Sequence, residues 1–181
     1  MNRSVAQRRS LFFALWPDTG TRARIGREAG SIIEGREGRK VPRANLHMTL
    51  LYLGPVEVGR QDEIISLVPQ LDLPAFTLQI DRVGCWRRSG VIWLAPSSFS
   101  EVLFSLVAAL KEVGREAGCE FDERPFKPHV TLMRKARRGV AVTSIKPLEW
   151  RVEGFSLMVS EPAPHGVTYR QLKVWPLNRE V

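Results

Sequence analysis

Two of the three histidines in this 181-residue chain stand in the same four-residue context. His47-Met48-Thr49-Leu50 returns 82 positions later as His129-Val130-Thr131-Leu132. Threonine is scarce, seven residues in all. A threonine two places after both histidines, with leucine following each, therefore speaks for an internal duplication rather than coincidence. In a β-strand residues i and i+2 share a face, so each motif offers an imidazole and a hydroxyl to one side. Two such strands lying together would aim both pairs into one cleft. Imidazoles titrate near pH 6.5, so at neutral pH one can give a proton while the other takes one. That division of labour suits attack of water on a phosphodiester. The base deprotonates the water and the acid protonates the departing sugar oxygen, each step contributing about 10²–10⁴ in rate. The hydroxyls, helped by guanidinium groups, can hold the non-bridging oxygens.

Competing chemistries find little support. Two histidines without companion carboxylates at ligand spacing make an incomplete metal site. No G-x-S-x-G context surrounds a serine, and no Walker or Rossmann glycine pattern is present. Cys85 and Cys119 stand far apart without ligand spacing, as expected for unpaired thiols in a reducing cytoplasm.

The elements that would position the motifs read as one order used twice. Leu11–Leu15 is an apolar run ending at Pro17-Asp18, hence a buried strand, and Asp18 or Thr19 can cap a helix running to about Glu34. A charged loop over 35–40 follows, then a His strand from Leu46 to Leu53, closed by Gly54-Pro55. The second half repeats this: a strand over Val91–Ala95, then a helix capped by Ser97, Ser98 or Ser100. That helix carries Val102, Leu103, Leu106, Val107 and Leu110 on one face. A charged loop then leads to a His strand over 129–133. From the end of the first strand to the histidine is 32 residues in one half and 34 in the other. Further expectations are a helix over 57–71 and strands over 76–83, 151–160 and 167–174. The reading is α+β: one domain over 1–181, bilobal, of two pseudo-symmetric halves (about 10–75 with the C-terminal strands, and 76–150). Each half is a mainly antiparallel sheet with helices on its outer face, and a cleft lies between the lobes.

Strict alternation puts His47, Thr49 and Leu51 on one face of the first His strand and Met48, Leu50 and Tyr52 on the other. It also puts Arg134 opposite His129, so Arg134 reaches the cleft only if the strand ends or bulges near Met133. Otherwise it is a solvated arginine. Tyr52, Phe126 and the five tryptophans read as core, His165 as an exposed loop residue, and Arg137 and Arg138 as surface charge.

The net charge of +8 comes from 21 Arg and 6 Lys against 19 acids. An arginine excess fits phosphorylated or nucleic-acid partners, and equally a basic surface in an Arg-favouring proteome. The apolar run Leu11–Trp16 is too short for a signal-peptide core or a membrane span, which predicts a soluble cytoplasmic protein.

With its flanks, the sequence resembles the 2H phosphoesterase superfamily, defined by two H-x-[ST]-x motifs. Within it the match is to the RNA 2′,3′-cyclic phosphodiesterases, also called 2′-5′ RNA ligases. Arg9–Leu15, Asn45–Gly54, Phe126–Lys135 and the stretch from Phe155 through Tyr169 to Leu177 carry the likeness. The resemblance implies a metal-independent, cofactor-free site between two halves, opening an RNA 2′,3′-cyclic phosphate to a 2′-phosphomonoester. It implies His47 as proton donor to O3′, His129 as acceptor from water, and Thr49 and Thr131 on the phosphate, with Arg134 a further phosphate contact. The expected partner is an RNA or oligonucleotide end carrying the cyclic phosphate, met by a monomer away from membranes. Open at this point are reverse 2′-5′ ligation, 2′-5′ oligonucleotides or small cyclic nucleotides as substrates, and a non-catalytic RNA- or nucleotide-binding module on the same fold.

Overall fold

The apolar run at Leu11–Leu15 ends strand β1 (Arg8–Leu15). In this computed structural model, which describes residues 7–164 and 166–178, β1 lies inside a nine-stranded sheet. His165 lies outside the described residues. The chain continues through α1 (Thr19–Ile33), β2 (Arg39–Lys40), β3 (Met48–Glu57), α2 (Gln61–Leu67) and β4 (Phe76–Trp86). It then forms β5 (Val91–Pro96), α3 (Glu101–Glu116), β6 (Val130–Arg134), β7 (Thr143–Val152), β8 (Gly154–Ala163) and β9 (Gly166–Pro176). Strand order is β7-β4-β5-β6-β3-β1-β8-β9, with β2 beside β6 and every pairing within the sheet antiparallel.

The two expected lobes are thus two halves of one continuous sheet. They meet at the His strands, where the recorded partners are Met48 and Val130. In each half the His strand pairs with the apolar strand that precedes it, β3 with β1 and β6 with β5. The helices are exchanged across the junction: α1, which follows β1, lies against β6 and β7, while α3, which follows β5, lies against β3. Each uses the stripe its sequence dictates. Ile25, Ala29 and Ile33 are buried on α1, and Leu103, Leu106, Val107, Leu110 and Val113 on α3. The Asp18 carboxylate accepts from the Thr21 backbone N–H at 2.9 Å, closing the first turn of α1, a cap contributing about 1 kcal/mol. No side-chain cap bond forms at Ser100, the N-cap of α3.

The main core lies between the helices and one face of the sheet. The other face is open and carries a smaller cluster of Phe12, Ala14 and Met158, flanked by Trp16 and Tyr169.

Several boundaries move. Residues 39–40, read as loop, pair with Arg134 and Met133 as β2. Strand β7 is absent from the sequence reading, and the strand expected over 151–160 is two strands separated at Glu153. As an edge strand, β7 carries Lys146 and Pro147 and is mostly exposed, so it shows little apolar alternation. β3 runs on through Gly54-Pro55 instead of stopping there. Beyond Met48 it has a partner on the β1 side alone, which leaves room for a residue with no N–H to donate. The helix expected over 57–71 contracts to a 3₁₀ turn and the two turns of α2.

Candidate active site

The paired backbones of Met48 and Val130 set the geometry of both motifs. Extending that antiparallel register by one residue sets His47 across from Thr131 and Thr49 across from His129. That places the two motifs side by side, with each histidine at the register position beside the threonine of the other motif. Both rings are partly buried on the open face.

The rings are oriented alike. His47 Nδ1 lies 2.7 Å from the Asn45 carbonyl, and His129 Nδ1 lies 2.7 Å from the Lys127 carbonyl. A carbonyl only accepts, so in each ring Nδ1 carries the proton and Nε2 is left for chemistry. His47 Nε2 meets the Thr49 Oγ1 at 2.9 Å. Asn45 is itself fixed, its side-chain amide donating to the Val167 carbonyl at 2.8 Å, which ties the His47 backbone to β9.

Aromatic rings wall the imidazoles. Trp16 stacks on His47 with centroids 5.4 Å apart, Tyr169 meets it edge-on at 5.2 Å, and Phe12 packs at 5.2 Å. Trp86 meets His129 edge-on at 4.6 Å and leans on Trp93. Of the tryptophans read as core, Trp150 is fully buried and Trp175 packs against the core, whereas Trp16, Trp86 and Trp93 belong to the site's walls. An apolar wall disfavours the imidazolium. Burial pushes His47 down to about 4, against the pull of the Asn45 carbonyl, and the charges of Arg134 and His129 add to the depression. His129 is lowered too, again by burial first and then by Arg134, with the Lys127 carbonyl opposing. Free of ligand, the site holds two neutral bases at pH 7.

The strict alternation assumed for the His strands does not hold: β3 departs from it at Leu53, where Leu11 pairs with Gly54 and Phe12 with Tyr52, and one further departure is common to both strands. Phe13 pairs with Leu51 and Ala14 with Thr49, which leaves Leu50 as an extra residue in β3. Ile92 pairs with Met133 and Trp93 with Thr131, which leaves Leu132 as an extra residue in β6. Each is a β-bulge three residues after its histidine. A bulge sends two successive side chains to one face. Leu50 and Leu51 are both buried under the helices, as are Leu132 and Met133, and the next side chain, Tyr52 or Arg134, is exposed. Alternation misplaced Leu51 and Tyr52 because it cannot register an inserted residue. Tyr52, expected in the core, is 52% exposed and donates its hydroxyl to Ser10 Oγ at 3.0 Å. Phe126 packs against the core. Arg134 comes to the side of the site, where its charge acts on His47, His129 and the Tyr169 phenol.

Sequence reasoning missed Trp16, Tyr169, Trp86 and Arg39. Arg39 stands directly opposite Arg134 through β2, inside what reads as a charged loop. The leucine shared by both motifs was the one available signal of the bulges.

On the His129 side the wall depends on a glycine. A Cβ on Gly84 would lie 2.4 Å from the Trp93 ring, itself braced by Trp86. Gly84→Ala is expected to destabilise the fold by about 1–3 kcal/mol through overpacking. The check is urea unfolding, and an unchanged midpoint would show the ring free to move.

The shape and sequence of the molecule have clear counterparts. The sequence model of the 2′-5′ RNA ligase superfamily matches residues 17–163. The RNA 2′,3′-cyclic phosphodiesterase of Escherichia coli is 32% identical, over 97% of this chain and 100% of its own length. That of Thermus thermophilus is 30% identical, over 94% of this chain and 91% of its own. The structure of E. coli LigT complexed with 3′-AMP superposes with a TM-score of 0.87, covering 94% of this chain and 99% of that one. With both His-x-Thr motifs inside the matched residues and the fold superposing over 94% of its length, this chain belongs to the 2′-5′ RNA ligase superfamily.

Proposed function

We propose that the protein hydrolyses the 2′,3′-cyclic phosphate at an RNA 3′ end to a 2′-phosphomonoester. The observation that carries this reading is the Met48–Val130 pairing, which sets two His-x-Thr dyads against one another on the open face. Relatives named RNA 2′,3′-cyclic phosphodiesterase, similar over nearly their full length, support it. In the proposed reaction His129 Nε2 takes a proton from water as the water oxygen bonds to phosphorus. The P–O3′ bond breaks, and His47 Nε2–H delivers a proton to O3′. The Thr49 and Thr131 hydroxyls and the Arg134 guanidinium hold the non-bridging oxygens, where negative charge grows. His47 is neutral in the free protein, so the acid role requires that it be loaded with the substrate, whose anion offsets the burial that depresses it.

Thr49→Val and Thr131→Val are expected to lower kcat/KM ten- to a hundred-fold each. That corresponds to about 1.5–3 kcal/mol for a hydrogen bond to a charged oxygen. Serine at either position should restore most of the rate, whereas equal activity in the valine variants would remove the hydroxyls from the mechanism.

Both dyads come from one chain and meet without a second copy, which supports action as a monomer. The thiols Cys85 and Cys119 are unpaired, fitting a reducing cytoplasm, and no helix among the described residues is long and apolar enough to cross a membrane. The decisive test follows phosphate opening in a 2′,3′-cyclic-phosphate-ended oligonucleotide with EDTA present. A 2′-phosphomonoester product is expected. Tight binding with no product would instead favour a binding module.

A further inference from the structure

At the far end of β6 three segments lock together. The Ala136 N–H donates to the Gly90 carbonyl at 2.9 Å and the Arg137 N–H to the Glu37 carbonyl at 3.1 Å, while β2 pairs with β6. Gly90 sits so close that a Cβ would lie 3.0 Å from the Ala136 backbone. Lys135, held at φ 53, is the one non-glycine residue with positive φ among those described. These backbone bonds tie the start of the rim to its neighbours.

Its charge is one-sided. Arg87, Arg88, Lys135 and Arg138 are exposed, as are Arg39 and Lys40, and none has a carboxylate partner among the described residues. The ion pair at the rim joins Arg137 to Glu37 at 2.8 Å. Arg39 and Arg134 are direct cross-strand partners, a like-charge pairing that destabilises a sheet unless something neutralises it. Elsewhere several arginines are paired, Arg60 with Glu63, Arg115 with Glu112 and Glu123, and Arg170 with Glu161, while Arg27, Arg43 and Arg82 stand singly rather than in a cluster. Unpaired cations gathered at one end, beside Arg134, call for an anion supplied from outside. Between the β4–β5 turn and residues 136–141 runs a groove of about 420 Å³ with Arg87, Arg137 and Arg138 on its walls. Arg138 lies four steps along the chain from Arg134, which span at most about 14 Å.

Resting on the function proposed above, we infer that this rim binds the sugar-phosphate backbone of single-stranded RNA, on the 5′ side of the reacting end. A 2′,3′-cyclic phosphate ends its chain, so any remaining nucleotides must leave the cleft in one direction. The basic rim offers them a path of unpaired guanidinium groups suited to phosphate. The preferred substrate is then a polymer, and a cyclic mononucleotide fills the cleft while leaving the rim empty.

The test compares the wild-type protein with an Arg87→Ala/Arg138→Ala variant, which leaves the Arg137–Glu37 pair in place. Binding of a fluorescent ten-nucleotide RNA ending in a 2′-phosphate is followed by anisotropy from 50 to 300 mM salt. Hydrolysis of 2′,3′-cyclic AMP is followed in parallel. The variant should bind the RNA about tenfold more weakly, with a log–log salt slope shallower by about 1.4, near 0.7 per lost single-strand contact. Its kcat/KM on cyclic AMP should match the wild type. Unchanged RNA affinity and slope would overturn the inference, as would an equal fall in cyclic AMP hydrolysis. A wild type that binds RNA through these arginines yet opens no cyclic phosphate would sink the proposed reaction and leave the rim standing.

Discussion

His47→Ala and His129→Ala are each expected to lower kcat for cyclic-phosphate opening by about 10²–10⁴, the range for losing one positioned proton transfer. The two act in a single step, so the double variant should fall little below the worse of the singles. A deficit equal to the product of both effects would mean that they work independently. The fold should survive both changes, because neither imidazole belongs to the main core between helices and sheet. His47→Ala leaves a gap among Phe12, Trp16 and Tyr169, so its unfolding midpoint should drop more than that of His129→Ala. Circular dichroism with urea titration separates lost chemistry from lost structure. Wild-type turnover in either folded variant would reject the assignment.

The second large effect is on pH. The reaction needs one imidazole protonated and one neutral, and in the free protein both are depressed, His47 to about 4. Because kcat/KM reports the ionisations of the free enzyme, it should peak on the acid side of 6.5. Above that peak the population carrying a single proton shrinks, and kcat/KM should fall toward tenfold per pH unit. The bound phosphate favours an imidazolium and raises the pKa values in the complex. The alkaline limb of kcat should therefore lie at higher pH than that of kcat/KM. By linkage, binding of inorganic phosphate takes up a proton, so it should be tighter at pH 5.5 than at pH 8. Rate profiles from pH 4 to 9, with calorimetric titration of phosphate, would check both signs. A kcat/KM level out to pH 8 would show that the apolar walls do not hold the imidazoles neutral.

Much of this site is legible in one dimension. The repeated His-x-Thr-Leu, the scarcity of threonine and the matched spacing from apolar strand to histidine point to a duplicated unit with two acid–base groups. Those signals are local: which residue types recur, and at what interval. The apolar stripe of α3 is local as well, and Leu103, Leu106, Val107 and Leu110 are buried where the periodicity places them.

What lay beyond the sequence is everything that depends on a partner strand. Nothing in the chain says that Met48 meets Val130, that α1 and α3 trade halves, or that Trp16 and Tyr169, 153 residues apart, close on one imidazole. A bulge is a mismatch between two strands, so it has no period that one strand can display. Arg134 and Tyr52 owe their side of the sheet to Leu132 and Leu50 being surplus to their neighbours β5 and β1. Depressed imidazole pKa values likewise come from burial by residues distant in sequence. The sequence alone determined which groups are available for chemistry, because identity and spacing are properties of the chain. Tertiary structure decided what each group faces and how readily it takes a proton, because cross-strand register and desolvation exist only once the strands have paired.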